Sequence, residues 1–297
     1  MTLTRSSLSE LLEPGLKAIF GDTYDQWDPE YSRFMDIEQS KKASEEYQEL
    51  AGFGLVPTKT EGGTTTYDDA IQGNKETTTN LTYSLGFKVT REMMDDDLYR
   101  KIQAMPKSLA ISIAQTVETE AALILDRAFN SSYTGLDSVE LCSRVHTLPG
   151  GGTFANEPAT AADLSMTSYE QATIDIAALV DGQNMKRKAM PRMLITSKNF
   201  EATAKRILQS TTDPETAERS INPFNNTVKH MTSHYVTDTD AWFIRTNVPG
   251  LFCQKRVWPA EMRKDNEFDS DVAKFKTYFR LAFSWYDPRA IYGSPGA

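Results

Sequence analysis

An α+β fold with two mixed subdomains, an N-terminal arm and a projecting hairpin is what the sequence predicts, on three observations. From Leu81 to Thr90 the alternation is strict: Leu81, Tyr83, Leu85, Phe87 and Val89 point one way and Thr82, Ser84, Gly86, Lys88 and Thr90 the other, the period of a strand. Directly afterwards apolar residues recur every three or four positions, at Leu98, Ile102, Met105, Leu109, Ile113, Val117, Ala121, Ile124 and Ala128, the period of a helix. Towards the end β texture returns, and "AKFKTYFRLAFSWYD" alternates over Phe275, Thr277, Phe279, Leu281 and Phe283.

Residues 1–50 read as an irregular arm. Its first helical piece has Ser and Thr caps and is expected to break at Pro14-Gly15. Residues 51–90 form the projecting hairpin. One arm is the Thr-rich run around Thr64–Thr66 with Tyr67 and Ile71, the other starts at Leu81, and Gln72-Gly73-Asn74-Lys75 supplies turn residues between them. Arms of roughly 15 residues would reach about 50 Å, whereas a compact chain of this size has a radius of gyration near about 19 Å. Asp68, Asp69, Gln72, Asn74, Lys75 and Glu76 offer no core face, so the distal part needs support from outside its own subunit.

Within residues 91–159, Asp95, Asp96 and Asp97 are placed to cap the long helix and complement its dipole. Pro106 must kink or restart that helix. From Lys107 to Asn130 an uninterrupted helix would measure about 36 Å, the length of a strut. Three successive glycines, Gly150, Gly151 and Gly152, lie in a Pro- and Gly-rich stretch that reads as a flexible joint between subdomains. Residues 160–254 alternate helix and strand. A helix starts at Thr167 or Ser168 with Glu170 nearby and stops at Gly182; "PRMLITS" is a short buried strand, "KNFEATAKRILQS" a helix, and "TDTDAWFIRTN" a turn into a strand. Residues 255–297 are the returning strands.

Composition narrows the function classes. No run of 18 apolar residues occurs, so no membrane span is expected, and the N-terminus lacks the pattern of a secretory signal, which points to the cytoplasm. Cys142 and Cys253 stand alone without metal-ligand spacing and read as small buried apolar side chains. The net charge of −9 argues against a protein that grips nucleic-acid backbone. The only dense basic cluster, Met185–Arg192, reads as a solvated loop.

Chemistry is sparse. Ser143 and His146 are the raw material of a Ser/His hydrolase, but no Gly-x-Ser-x-Gly elbow accompanies them. His230 and His234 have a four-residue spacing that could serve a metal on a helix, yet strand and turn residues follow. "PGGGTF" lacks the Lys-Ser/Thr pair of a phosphate loop. No catalytic residue, metal or cofactor is assigned.

The order of elements, carried by "LTYSLGFKVTREMMDDDLYRKI", "HTLPGGGTFANEPATAADLS", "PRMLITSKNFEATAKRIL", the "TDTDAWF" turn and "DPRAIYG", resembles the major capsid (major head) proteins of tailed bacteriophages with the Hong Kong ninety-seven shell fold. Within them it is most similar to the Mu-like major head subunit family, with departures at His146-Thr147-Leu148-Pro149 and at the closing "DPRA". The resemblance implies a phage capsid shell fold. Residues 1–50 would be the N-terminal arm, 51–90 the extended loop across an adjacent subunit, 91–159 the peripheral subdomain with its spine helix, 160–254 the axial subdomain, and 255–297 strands returning to the peripheral subdomain.

It further implies a non-enzymatic homo-oligomer of hexamers and pentamers in a virion shell, assembled in the host cytoplasm. Its partners would be scaffold, portal and decoration proteins, and it would enclose double-stranded DNA without reading its sequence. An encapsulin-like compartment of the same fold is the alternative. Tyr67, Asp68, Asp69, Ile71, Gln72, Asn74, Lys75 and Glu76 would form the inter-subunit hairpin, Pro106 and Gly150–Gly152 the hinges, and Lys75 the candidate for crosslinking.

Overall fold

The computed structural model describes residues 6–90, 92–93, 96, 99–212, 221–267 and 272–297. Helix α1 (Ser6–Asp25) and the single turn α2 (Tyr31–Phe34) precede strands β1 (Asp36–Gln39), β2 (Ser44–Ala51), β3 (Ile71–Thr79) and β4 (Leu81–Val89). The long helix α3 (Tyr99–Asp126) is followed by two short strands, β5 (His146–Thr147) and β6 (Thr153–Phe154). Then come α4 (Met166–Ala178), β7 (Pro191–Thr196), α5 (Glu201–Gln209), β8 (Lys229–Thr232) and β9 (Trp242–Thr246). The chain closes with the long strands β10 (Leu251–Glu267) and β11 (Val272–Trp285) and with β12 (Ile291–Ser294). Helix and sheet are mixed as the sequence predicts.

The spacing read from the sequence is the spacing that is buried. Ile102, Leu109, Ile113, Val117, Ala121 and Leu125 of α3 all face one core, and each large aliphatic buried there contributes about 1.5–3 kcal/mol. They pack on Leu16 and Phe20 of α1 and on Phe275, Phe279 and Leu281 of β11. The segment Lys101–Asp126 is long and apolar enough by composition to cross a membrane, and half of its most apolar window is buried inside the protein.

Neither proline breaks its helix. Pro14 lies inside the 20-residue α1 and Pro106 inside the 28-residue α3. Each removes one backbone donor, a cost of about 3 kcal/mol; in α3, burial of Ile102 and Leu109 on either side of Pro106 offsets it. The predicted break at Pro14-Gly15 and restart at Pro106 are therefore corrected to continuous helices. Of the capping aspartates, Asp95 and Asp97 lie outside the described residues, and Asp96 is exposed in a turn, its N–H donating to the Glu92 carbonyl at 2.9 Å.

Two four-stranded sheets divide the core. The first runs β1-β10-β11-β4, with β1 parallel to β10 and the other pairs antiparallel. Phe87 faces Phe275 and Tyr83 faces Phe279 across β4 and β11, with ring centroids 5.0 and 5.2 Å apart, the cross-strand aromatic pairing that stabilises sheets. The second runs β12-β9-β7-β8. With α4 and α5 it encloses Tyr169, Ile176, Leu194, Ile207, Trp242, Ile244 and Tyr292. Helix α4 is capped two or three residues earlier than expected: Ser165, not Thr167 or Ser168, is its N-cap, in a capping box with Ser168 that satisfies two free N–H groups reciprocally.

The ends of the chain do not respect the expected boundaries. Strand β1, inside the expected arm, joins the first sheet, and β12, expected among the returning strands, joins the second. The chain thus crosses between the sheets three times, from β4 to β7 by way of α3 and α4, from β9 to β10 and from β11 to β12, and the last two crossings touch. A Cβ on Gly250 would lie 2.5 Å from the Asp287 carbonyl, so only glycine fits there. Tyr286 N–H donates to the Gly250 carbonyl at 3.0 Å, and the Thr246 hydroxyl donates to the Arg289 carbonyl at 2.7 Å.

The predicted hairpin is real but displaced. Strand β3 pairs antiparallel with β2, not with β4. Asn80, buried where the chain leaves β3 for β4, decides this: its N–H donates to the Ala43 carbonyl at 3.0 Å and its side chain to Ser40 Oγ at 2.9 Å and the Lys42 carbonyl at 3.1 Å. The turn chemistry at Gln72–Lys75 therefore sits inside a strand. Gly73 is there because a Cβ would meet Glu49 and Pro149 at 3.0 Å, a close approach and not a bend.

Candidate assembly surface

The ribbon of β2 and β3 is fastened at its root and free beyond it. Tyr47 stacks on Tyr286 at 4.8 Å and Tyr286 on Phe252 at 4.8 Å. The Tyr47 hydroxyl donates to Glu38 at 3.0 Å and accepts from Gln254. Farther along, Gln183 Nε2 donates to the Gly52 carbonyl at 2.9 Å, and Gly182 lies so near Ala51 that a Cβ would be 2.7 Å away. Residues 52–70, between the strands, include no buried residue. Yet they carry large apolar side chains: Phe53 is 62 % exposed, Leu55 85 %, Val56 94 % and Tyr67 92 %. A loop that displays four such groups around Gly and Thr is unstable as a free surface and is suited to being covered.

This redistributes the predicted hairpin residues. Tyr67, Asp68 and Asp69 lie in the excursion, where Asp68 Oδ2 accepts from Gly54 N–H at 2.8 Å and holds its two limbs together. The bend lies near Gly62, which has a φ of 77°, not at Asn74. Ile71, Gln72, Asn74, Lys75 and Glu76 belong to β3. Lys75 pairs with Glu46 across the ribbon at 2.6 Å, so the cation singled out for crosslinking stands in a strand with a partner in its own chain. Burial, and after it the charge of Asp137, pushes the Glu76 carboxyl above its ordinary pKa.

The glycine joint is a closed turn. Leu148 N–H donates to the Gly152 carbonyl at 3.1 Å, Gly151 and Gly152 adopt φ of 89° and 94°, and Gly150 N–H donates to the Gly182 carbonyl at 2.9 Å. Gly150–Gly152, expected as a hinge, sit at the end of a hydrogen-bonded hairpin, where the glycines serve left-handed backbone and a close contact.

His146 is fully buried. Its Nδ1 lies 2.6 Å from Asp137 Oδ2 and its Nε2 3.0 Å from Asn156 Oδ1, so both ring nitrogens are engaged away from Ser143. Asn156 also donates to the carbonyls of Leu141, Pro288 and Ile291 at 2.7, 2.9 and 3.1 Å. The cluster ties the segment after α3 to the crossing before β12. His230 Nε2 lies 2.9 Å from Thr196 Oγ1 and His234 Nδ1 2.5 Å from Glu30 Oε1, so the two histidines serve different partners. Among the described residues no group of acidic, His and Cys side chains is arranged to hold a metal ion.

Besides Asn156, Arg245 and Glu118 are structural residues that escaped the sequence reading. Arg245 is buried in β9: its Nε donates to the Phe34 carbonyl at 3.0 Å, one terminal nitrogen to Val248 and to Ala290 (2.9 Å), and the other to Asp36 Oδ2 at 2.9 Å. It bolts the end of the arm to the second sheet. Glu118 of α3 accepts from the N–H groups of Glu30 and Tyr31 at 2.8 and 3.1 Å, holding the arm to the spine. Burial, with Glu30 and Asp28 nearby, pushes its pKa up to about 7. A folded-state pKa above the ordinary carboxylate value contributes stability that is complete below that ordinary value and is lost as pH rises through about 7. From pH 5 to 8 the dissociated subunit is therefore expected to lose about 3 kcal/mol in urea titrations, and Glu118→Gln to abolish most of that slope; an unchanged slope would refute the assignment.

The family described as phage capsid protein matches residues 75–294. The chain belongs to the phage capsid protein family. Its fold agrees with that of phage shells of the Hong Kong ninety-seven type. The procapsid of bacteriophage JBD30 is similar with a TM-score of 0.54 at 13 % identity over 98 % of this chain and 76 % of that one. The mature capsid of bacteriophage PhiM1 gives a TM-score of 0.57 at 10 % identity over 90 % and 87 %. The SrpI encapsulin of Synechococcus elongatus gives 0.52 at 11 % identity over 89 % and 86 %. No curated protein sequence matches this capsid-family chain.

Proposed function

We propose that this chain is the major capsid protein of a tailed bacteriophage, a structural subunit whose copies form hexamers and pentamers of an icosahedral head around double-stranded DNA. The observation that carries the reading is the apolar excursion at residues 52–70, which has no core at home and is rooted on a rigid base. Tyr67, Asp68 and Asp69 then meet a neighbouring subunit, while Ile71 to Glu76 brace the ribbon that carries them. Scaffold, portal and decoration proteins are the expected partners, and assembly in the host cytoplasm the expected setting. The net charge of −9 suits a shell that encloses DNA without sequence-specific grip. Function resides in assembly and requires no cofactor, metal or bond-making step. Placement among the Mu-like major head subunits rests on the sequence motifs.

Likeness to the encapsulin supports a second reading, a protein compartment with the same wall and other contents. Purification of the full chain, followed by size exclusion and electron microscopy, is expected to yield closed shells eluting as very large particles. A peak at the mass of one chain would overturn the shell reading. Nuclease-protected DNA in particles from infected cells would favour the head, and a protein cargo without DNA the compartment.

A further inference from the structure

Near the root of each ribbon lies a surface with the opposite character to the excursion. Lys186, Lys188 and Arg192 are exposed, and among the described residues none has a carboxylate partner. Arg187, between them, is spent on Asp287 at 2.7 Å. Met190 adds an exposed apolar group to the same stretch. The excursion carries Glu61, Asp68 and Asp69 against one cation, Lys59, beside exposed Phe53, Leu55, Val56 and Tyr67. Among the described residues, no ion pair or hydrogen bond joins 53–70 to 185–192 of the same chain. They remain apart although the root contacts Gly182 and Gln183, just before the basic stretch.

We infer that the acidic, apolar excursion of one copy docks on the basic loop Lys186–Arg192 of the next copy, an assignment that rests on the shell reading and names the receiving surface. Doubling back near Gly62, the excursion spans about 30 Å beyond its root, so its tip is carried well away from its own basic loop. Every copy then offers a tip and, at its root, a receptor for another tip. Such a head-to-tail contact closes a ring when the rotation between copies is right. Exposed ion pairs add little affinity, so apolar burial by Phe53, Leu55, Val56 and Tyr67 supplies the adhesion and the charges select partner and register.

The test is charge exchange in the full chain. One variant carries Lys186→Glu, Lys188→Glu and Arg192→Glu; a second carries Glu61→Lys and Asp69→Lys, with Asp68 kept because it holds Gly54; a third combines both sets. Shell yield by electron microscopy is expected to fall about tenfold or more in each single-sided variant and to recover to within about threefold of the parent in the combined one. Circular dichroism on the unassembled material checks that each variant is folded. Normal assembly of either single-sided variant, or no recovery in a folded combined variant, overturns the inference. So do normal shells of the Lys186/Lys188/Arg192 variant that fail to retain DNA, since the loop would then serve phosphate. If the parent chain itself forms no shells, the shell reading falls first and the docking with it.

Discussion

Deletion of residues 53–67, with Gly52 joined to Asp68 by a short Gly-Ser linker, is expected to leave a soluble, folded subunit that no longer forms shells. The excursion includes no buried residue, so its removal should change subunit stability by no more than about 1 kcal/mol. What remains is anchored independently: Tyr47 stays stacked on Tyr286 and Phe252, and Asn80 stays bonded to Ser40 and the Lys42 carbonyl. Deleting from Gly62 to Leu81 would be a poorer experiment, because it removes all of β3 and leaves β2 without a partner. Loss of particles with an unchanged melting temperature is the expected pair of results. Normal shells from the deleted chain would end the case for residues 52–70 as the assembly element.

Arg245→Met is expected to cost the dissociated subunit about 3–5 kcal/mol, read as a lower urea midpoint at unchanged slope. The substitution preserves apolar bulk but strands the carbonyls of Phe34, Val248 and Ala290 and leaves Asp36 without its cation. Arg245→Lys should recover less than half, since one ammonium cannot reproduce a guanidinium fork aimed at three segments. A cost below about 1 kcal/mol for the Met variant would show that water satisfies those carbonyls and that Arg245 is not a structural bolt.

What the sequence revealed and what it hid follow from periodicity. The α3 core positions and the Phe275 strand were legible because one face of each is buried, which imposes a period on the residues, and the Phe87 strand because Tyr83, Phe87 and Val89 follow the same period against that strand. Strand β2 was not: in "SEEYQELA" the half-buried face carries Glu45, Tyr47 and Glu49 and the exposed face Glu46, Gln48 and Leu50, so its burial leaves no apolar period in the residues. Once β2 was missed, β3 had no visible partner except β4, and Gly73 read as a turn. At Gly150–Gly152 the sequence showed the glycines but not their use, since glycine marks both freedom and close approach: Gly150 is pressed on the Gly182 carbonyl, and Gly151 and Gly152 hold positive φ. Arg245 left a faint trace, a lone cation directly after the apolar run Trp242–Ile244 in the same strand. Asn156 left none, since its partners Leu141, Pro288 and Ile291 are remote in the chain.

The two touching crossings between the sheets bear on how a curved wall can be built from one sequence. With Gly250 pressed on Asp287, Thr246 bonded to Arg289 and Arg245 bonded to Ala290, the two sheets are seamed directly to each other. A tile so seamed bends at its middle only at the cost of those contacts. The angular tolerance that a closed polyhedral surface demands must then be carried at its margin, in the excursion, whose described contacts are few and whose Gly and Thr backbone deforms at little cost.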